Sequence, residues 1–211
     1  MALAEPYPLA FLSNILAPLS SCQFDLLRFE EASGSGNGQQ WTAELSDPLW
    51  QVTLSLSPRR LAAAREISSK LQALGTMRSF HFADPLYSPA AGGAAGSGVT
   101  VRIRNTDLTA IGLAGLPAGY RITAGDRISA LYGGAAFYFG TFAESITASA
   151  AGETGVVAID PPLPPEILAG APVVLDRPVI RLRVPPGGFV PFTSLPGAYA
   201  SGASLTLVQK L

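Results

Sequence analysis

The feature that most constrains this chain is a change of hydrophobic period at residue 57. In WQVTLSLSPRRLAAAREISSKLQALG, residues 50–75, Trp50, Val52, Leu54 and Leu56 alternate with Gln51, Thr53, Ser55 and Ser57. A period of two sends one set to a buried face and the other toward water, so this run is a strand. Past Ser57-Pro58 the apolar residues recur at Leu61, Ala64, Ile67, Leu71 and Leu74, the spacing of one helical stripe. Ser57 is the expected N-cap and Pro58 the first helical residue, where a missing N–H costs nothing, so the helix is expected over 58–74. Arg59, Arg60, Glu66 and Lys70 take the wet side, and Glu66 precedes Lys70 by one i,i+4 step in the favourable order. Gly75 is placed to end the helix as its C-cap. MRSFHF then returns to an extended pattern, with Met77, Ser79 and His81 against Arg78, Phe80 and Phe82. A sheet crossed by one helix is the minimum fold these periods allow.

Upstream, QQWTAEL repeats the alternation at Trp41, Ala43 and Leu45, and Ser46-Asp47-Pro48 has the composition of a turn joining the two runs. CQFDLLRF offers a further strand with one partly apolar face, and GSGNG at 34–38 a hairpin tip, because Gly and Asn tolerate positive φ. Downstream, SPAAGGAAGSG at 88–98 has the composition of a flexible linker. Short strands follow, with turns about every ten residues, the rhythm of a small barrel or sandwich. They are VTVRIR, with Val99, Val101 and Ile103 inward, then YRITAGDRISALY, AAFYFGTFAESITA, GVVAID, APVVLD and PVIRLRV. Pro161-Pro162, Pro164-Pro165 and Pro185-Pro186 exclude helix where they fall and suggest edges or loops. The expected fold class is mainly β (α+β). An N-terminal β-sandwich or split barrel with one packed helix occupies 1–87, the linker 88–98, and a β-rich peripheral domain, a small barrel or sandwich, 99–211.

Composition bounds the function. The chain is 48% hydrophobic and 14% charged, with a mean hydropathy of +0.31. The apolar runs at 130–142 and 169–175 are broken by Gly or Pro and are too short to cross a bilayer as helices. The start lacks a basic region and is interrupted by Glu5, Pro6 and Pro8, so no signal peptide is read there. Low charge with high apolar content suits a protein that buries surface against other subunits, although Ala- and Gly-rich coding raises the same index. A net charge of −1 supplies no basic field for nucleic acid or anionic lipid. The single cysteine, Cys22, excludes an internal disulfide and lies between Ser21 and Gln23, the setting of a small strand or turn residue.

Candidate chemistry is sparse. His81 is the only histidine, it falls between Phe80 and Phe82, and no second His or Cys accompanies it for zinc, so it is read as a sheet-face residue. No GxSxG elbow supplies a nucleophile. Glu30 and Glu31 are adjacent, and Asp84, Asp126 and Asp160 stand beside Gly, Pro or Arg in turn-like settings where Asp bonds its own backbone. Neither GSGNG nor GGAAGSG ends in the Lys-Ser/Thr of a phosphate loop. Arg102 with Arg104, and Arg181 with Arg183, each share one face of a strand, facing solvent or a partner. No catalytic, cofactor-binding or metal-binding residue is assigned, and no cofactor is expected.

WQVTLSLSPRRLAAAREISSKLQALGTMRSFHFADP, residues 50–85, resembles a family of tailed-phage and prophage tail-tip proteins, the distal tail proteins. ITAGDRISAL, GETGVVAIDPPLPPEILAGAPVVL and PVIRLRV extend the likeness over about residues 41–184; ALGTMRSFHF departs from it by lacking a more basic Arg-Gly turn. The resemblance implies a non-enzymatic structural protein of the virion tail tip, made in the bacterial host cytoplasm. It further implies a ring of identical copies, hexameric by family analogy, that joins the tail tube protein to the hub, baseplate and receptor-binding proteins, with no membrane contact and no direct nucleic-acid recognition. The strand–helix–strand would then be ring scaffold. The alternative is a carbohydrate- or host-surface-binding module using Tyr132, Phe137, Tyr138, Phe139 and Tyr199, and a third is a hydrolase with a carboxylate pair drawn from Glu30 and Asp126.

Overall fold

The structure is a computed structural model that describes residues 5–10, 19–34, 36–134 and 136–211. The reading of the chain's start therefore lies partly outside the described residues, as do Ser35 of the glycine-rich tip and Ala135. The fold is mainly β, with one helix among the described residues. The first elements are β1 (Leu19–Gly34), β2 (Gln40–Leu56), the two-residue β3 (Arg59–Arg60), the helix α1 (Leu61–Leu74) and β4 (Ser79–Phe82). Then come β5 (Thr100–Arg104), β6 (Ala110–Ala114), β7 (Arg121–Ile122), β8 (Arg127–Tyr132), β9 (Ala136–Phe142), β10 (Ile146–Thr147), β11 (Val157–Asp160) and β12 (Val173–Val174). The last are β13 (Ile180–Arg183), β14 (Phe189–Val190), β15 (Thr193–Leu195), β16 (Tyr199–Ser201) and β17 (Ser204–Gln209).

Two compact units divide the chain: Met1–Phe80 with Leu182–Lys210, and His81–Arg181. This differs from the expected boundary at 88–98, because the second unit is inserted into the first. The reason is β17, whose SLTLVQ pairs with β2, so that Leu205 lies opposite Leu54 and Leu207 opposite Val52. All four are fully buried. Nor do residues 88–98 form a free linker. Asp126 Oδ1 accepts the Ala90 N–H at 3.0 Å, Asp176 Oδ1 accepts the Ala95 N–H at 2.6 Å, and Ala95 is buried. Composition suggested mobility, but side-chain acceptors satisfy the backbone donors and hold the segment within the second unit.

The first unit is a sheet ordered β1-β2-β17-β13-β4, with β14 also on β17. Trp50, Val52, Leu54 and Leu56 are buried while Gln51, Thr53, Ser55 and Ser57 are less so, as the period of two requires. On α1 the buried stripe is Ala64, Ile67, Leu71 and Leu74, with Leu61 only half-buried at the helix start. Gly75 caps the C-terminus at φ 57°, and Lys70 meets Glu66 at 2.7 Å. The N-terminus departs from the sequence expectation: the helix starts at Leu61, after an Arg60 cap that makes no side-chain hydrogen bond. Arg59 and Arg60 pair instead with Ala200 and Tyr199 of β16, and the Leu61 N–H donates to the Ala198 carbonyl at 2.8 Å. Backbone from a distant turn thus does the capping expected of Ser57.

Ser46-Asp47-Pro48 is a bulge, not a turn. Leu27 faces Leu49 and Phe29 faces Ser46, so Arg28 alone opposes Asp47 and Pro48. A bulge tolerates the missing N–H of Pro48, and β2 runs through it unbroken. The hairpin partner of β2 is β1, and Gly36, Asn37 and Gly38 lie in the turn between them.

The second unit is a barrel-like sheet ordered β12-β8-β9-β11-β6-β5. Its two edges meet through a Thr100–Pro172 bridge, with the Val173 N–H donating to Val99 and the Val101 N–H to Ala171, at 3.0 and 2.9 Å. Closure removes the open edges that would otherwise invite pairing. Val101, Ile111, Leu113, Ile122, Ile128 and Phe142 are among the side chains that fill it. Val99 and Val101 point inward as expected, but Ile103 does not; a bulge at Arg102 breaks the alternation and leaves Ile103 44% exposed.

Candidate interaction surfaces

His81, Asp84, Asp126 and Asp160 take places in strands and turns, whereas Glu30 and Glu31 stand exposed on β1. His81 is half-buried in β4, edge-on to Phe137 at 4.9 Å between ring centroids, and its Nε2 is buried without a hydrogen-bond partner. Burial, and secondarily the charge of Arg181, lowers its pKa below the usual histidine value and keeps it neutral. Asp84 Oδ1 accepts the Leu86 N–H at 2.9 Å, and Asp126 Oδ2 accepts the Thr123 N–H at 2.8 Å, the turn-bonding expected of Asp. Asp84 also pairs with Arg127 at 2.6 Å, and Arg127 lies over the Tyr87 ring at 4.9 Å. The space enclosed by Tyr87, Tyr120, Asp126 and Arg127 has no room for a water molecule, so it is packing and not a substrate site. Burial, with the charges of Asp176 and Asp126, pushes the Tyr120 hydroxyl up to about 12. Asp160 departs from the turn expected for it: it is the last residue of β11, opposite Thr141.

Arg102 and Arg104 turn back onto their own unit. Arg102 donates to the Thr154 carbonyl at 2.8 Å, and Arg104 to the Pro165 and Ile167 carbonyls at 2.8 and 3.0 Å. Arg181 and Arg183 flank buried Leu182 on the other face of β13. The aromatics proposed for glycan binding are not gathered on one exposed face. Tyr138 and Phe139 are buried, the Tyr138 hydroxyl donates to the Pro161 carbonyl at 2.6 Å, and Tyr132 and Phe137 are half-buried. Tyr199, which is exposed, belongs to the first unit. Among the described residues no three His, Cys, Asp or Glu side chains gather as a metal site, and no helix is long and apolar enough to cross a membrane.

What the described surface offers instead is an arm. β1 and β2 run for 16 and 17 residues, well beyond the usual strand of about 5–6. β17 supports β2 only from Gln51 to Ser55, so residues 28–47 continue as a two-stranded ribbon. Every described residue of 28–47 is exposed. Trp41 is 68% exposed and Leu45 66%, which sequence alternation alone would have buried. In the register Ala43 faces Glu31 and Trp41 faces Ser33, which places these four on one face of the arm. On the other face Glu30 stands directly opposite Glu44, a like-charge pair that disfavours the ribbon.

A second surface lies along α1. Leu61, Ala64, Arg65, Ser68, Gln72 and Phe192 border a shallow groove of about 190 Å³ beside β15 and β16. Next to it a hollow of about 400 Å³ is lined by Arg60, Leu61, Ala62 and the turn from Gly197 to Tyr199. The groove exists because small residues, Ala64 and Ala200, form its floor. Sequence reasoning identified the helix stripe but not this groove, since its other wall comes from residues 192–200.

No protein-family model matches this chain, and a search of curated proteins likewise found no match.

Proposed function

We propose that this chain is a non-enzymatic structural component of a bacteriophage tail tip or baseplate, forming a ring that joins the tail tube to the hub and receptor-binding apparatus. The observation that carries the assembly half of this reading is the arm. An isolated two-stranded ribbon is marginal in water, and one that exposes Trp41 and Leu45 gains stability by burying them against another surface. The tail-tip half rests on the resemblance across residues 41–184. His81 serves packing and Asp84 and Asp126 serve turns, which favours scaffold over catalyst.

The test is location. Gold-labelled antibody against the chain, applied to tailed particles from the source strain, should mark one point at the distal end of the tail. Label along the whole tail, on the head, or on no particle would overturn the reading.

A further inference from the structure

We propose that the arm of one copy docks across the α1 face of the next, seating Trp41 in the groove beside Leu61 and Ala64 with Glu31 against Arg60 and Arg65. This rests on the reading that copies assemble, and it names the contact. Three independent features point to a second copy as the occupant. The first is charge. Residues 28–47 carry Glu30, Glu31, Glu44 and Asp47 against Arg28, so 1 − 4 = −3; residues 59–72 carry Arg59, Arg60, Arg65 and Lys70 against Glu66, so 4 − 1 = +3. In a chain of net charge −1, these opposite patches are matched in size and lie on different elements of one unit.

The second feature is shape. Trp41, 68% exposed against 37% for Phe29, is the more exposed ring of the arm, and the groove of about 190 Å³ is floored by Ala64 and Ala200, whose short side chains leave room for a flat ring above them. The third is topology. Arm and groove are different patches on the same subunit, so their union is heterologous, the arrangement that propagates from copy to copy and closes into a ring when the rotation allows. Docking also sets Arg60 and Arg65 against Glu31, which shares the docking face with Trp41.

Disulfide trapping between copies tests this directly. In a Cys22→Ser background, full-length Ala43→Cys protein is mixed with full-length Ser69→Cys protein under mild oxidation. A disulfide needs the two Cα atoms within about 7 Å, so only docked copies cross-link. The expected result is a mixed dimer that neither variant forms alone and that a Ser149→Cys control does not form. Trp41→Ala should reduce it at least tenfold. Glu31→Arg should reduce it similarly, with recovery when the partner carries Arg65→Glu. Trp41 is exposed, so a fold defect is not expected, and unchanged Trp50 emission checks this.

Closed rings without the 43–69 cross-link would overturn the arm contact and leave the ring reading standing. Cross-linked pairs or open chains that never close would support the contact and count against the ring. Persistent monomer without cross-link, or cross-linking of the arm to tube protein alone, overturns the inference.

Discussion

Replacing Leu205 with Ala should destabilise the first unit and spare the second. Leu205 is fully buried in β17, opposite Leu54 on one side and Phe189 on the other. Core Leu→Ala changes cost about 2–5 kcal/mol, more when the surroundings cannot collapse into the cavity. Here hydrogen-bonded strands on both sides hold the neighbours in place, so about 3–4 kcal/mol is expected. The assay is urea unfolding followed by tryptophan emission. The chain has two tryptophans, Trp50, which is 6% exposed, and Trp41, which is 68% exposed, so the spectral shift on unfolding reports Trp50 and hence the first unit. With a denaturant slope of about 1–3 kcal/mol per molar, the midpoint should fall by more than about 1 M. Val190→Ala, at a 50% exposed position of β14, should stay within about 0.5 kcal/mol of the parent. If Leu205→Ala leaves the Trp50 transition within that margin, the C-terminal strand does not belong to the sheet of β2 and the inserted arrangement is wrong.

Three further outcomes are expected. Gly152 has φ +74° and an added Cβ would overlap the Leu116 carbonyl oxygen, whereas Gly170, at φ +88°, faces open space. Gly152→Ala should therefore cost at least about 2 kcal/mol and Gly170→Ala about 1 kcal/mol in chemical unfolding of the second unit followed by near-ultraviolet circular dichroism. Asp84→Asn removes the carboxylate that faces Arg127 at 2.6 Å in a largely buried pair, and thermal unfolding should show a loss of about 3 kcal/mol. His81 has a depressed folded pKa against an unfolded value near 6.5, so the unfolded state binds the extra proton. Its stabilising contribution is complete above that value and is lost as pH falls through the folded pKa. His81→Phe should flatten the urea midpoint between pH 7.5 and 5, and an unchanged slope would show that another group controls it.

The elements set by local period were legible. Strand β2, the α1 stripe, the Gly75 cap and the Glu66–Lys70 pair each depend on residues within a few positions of one another. What failed depends on partners far along the chain. Ser57-Pro58 looks like a helix start, yet β16, about 140 residues later, claims Arg59 and Arg60 for a strand. SLTLVQ alternates as plainly as β2 does, but nothing local says that it returns to the first unit. Ile103 was misplaced because a bulge at Arg102 inserts one residue into the alternation. The arm was hidden for a subtler reason: Trp41, Ala43 and Leu45 have the pattern of a buried strand, and only the extent of β17 reveals that nothing covers them. The groove, likewise, needs two segments separated by more than a hundred residues.

The central claim is self-assembly, and native mass spectrometry of the full chain across a concentration series tests it most directly. The subunit mass is 21.8 kDa, so a hexamer would appear at 6 × 21.8 = 130.8 kDa. A single closed stoichiometry, alone or on addition of tube protein, with no ladder of intermediate sizes, is the expected result. A 21.8 kDa species at every concentration, with and without tube protein, would contradict the account.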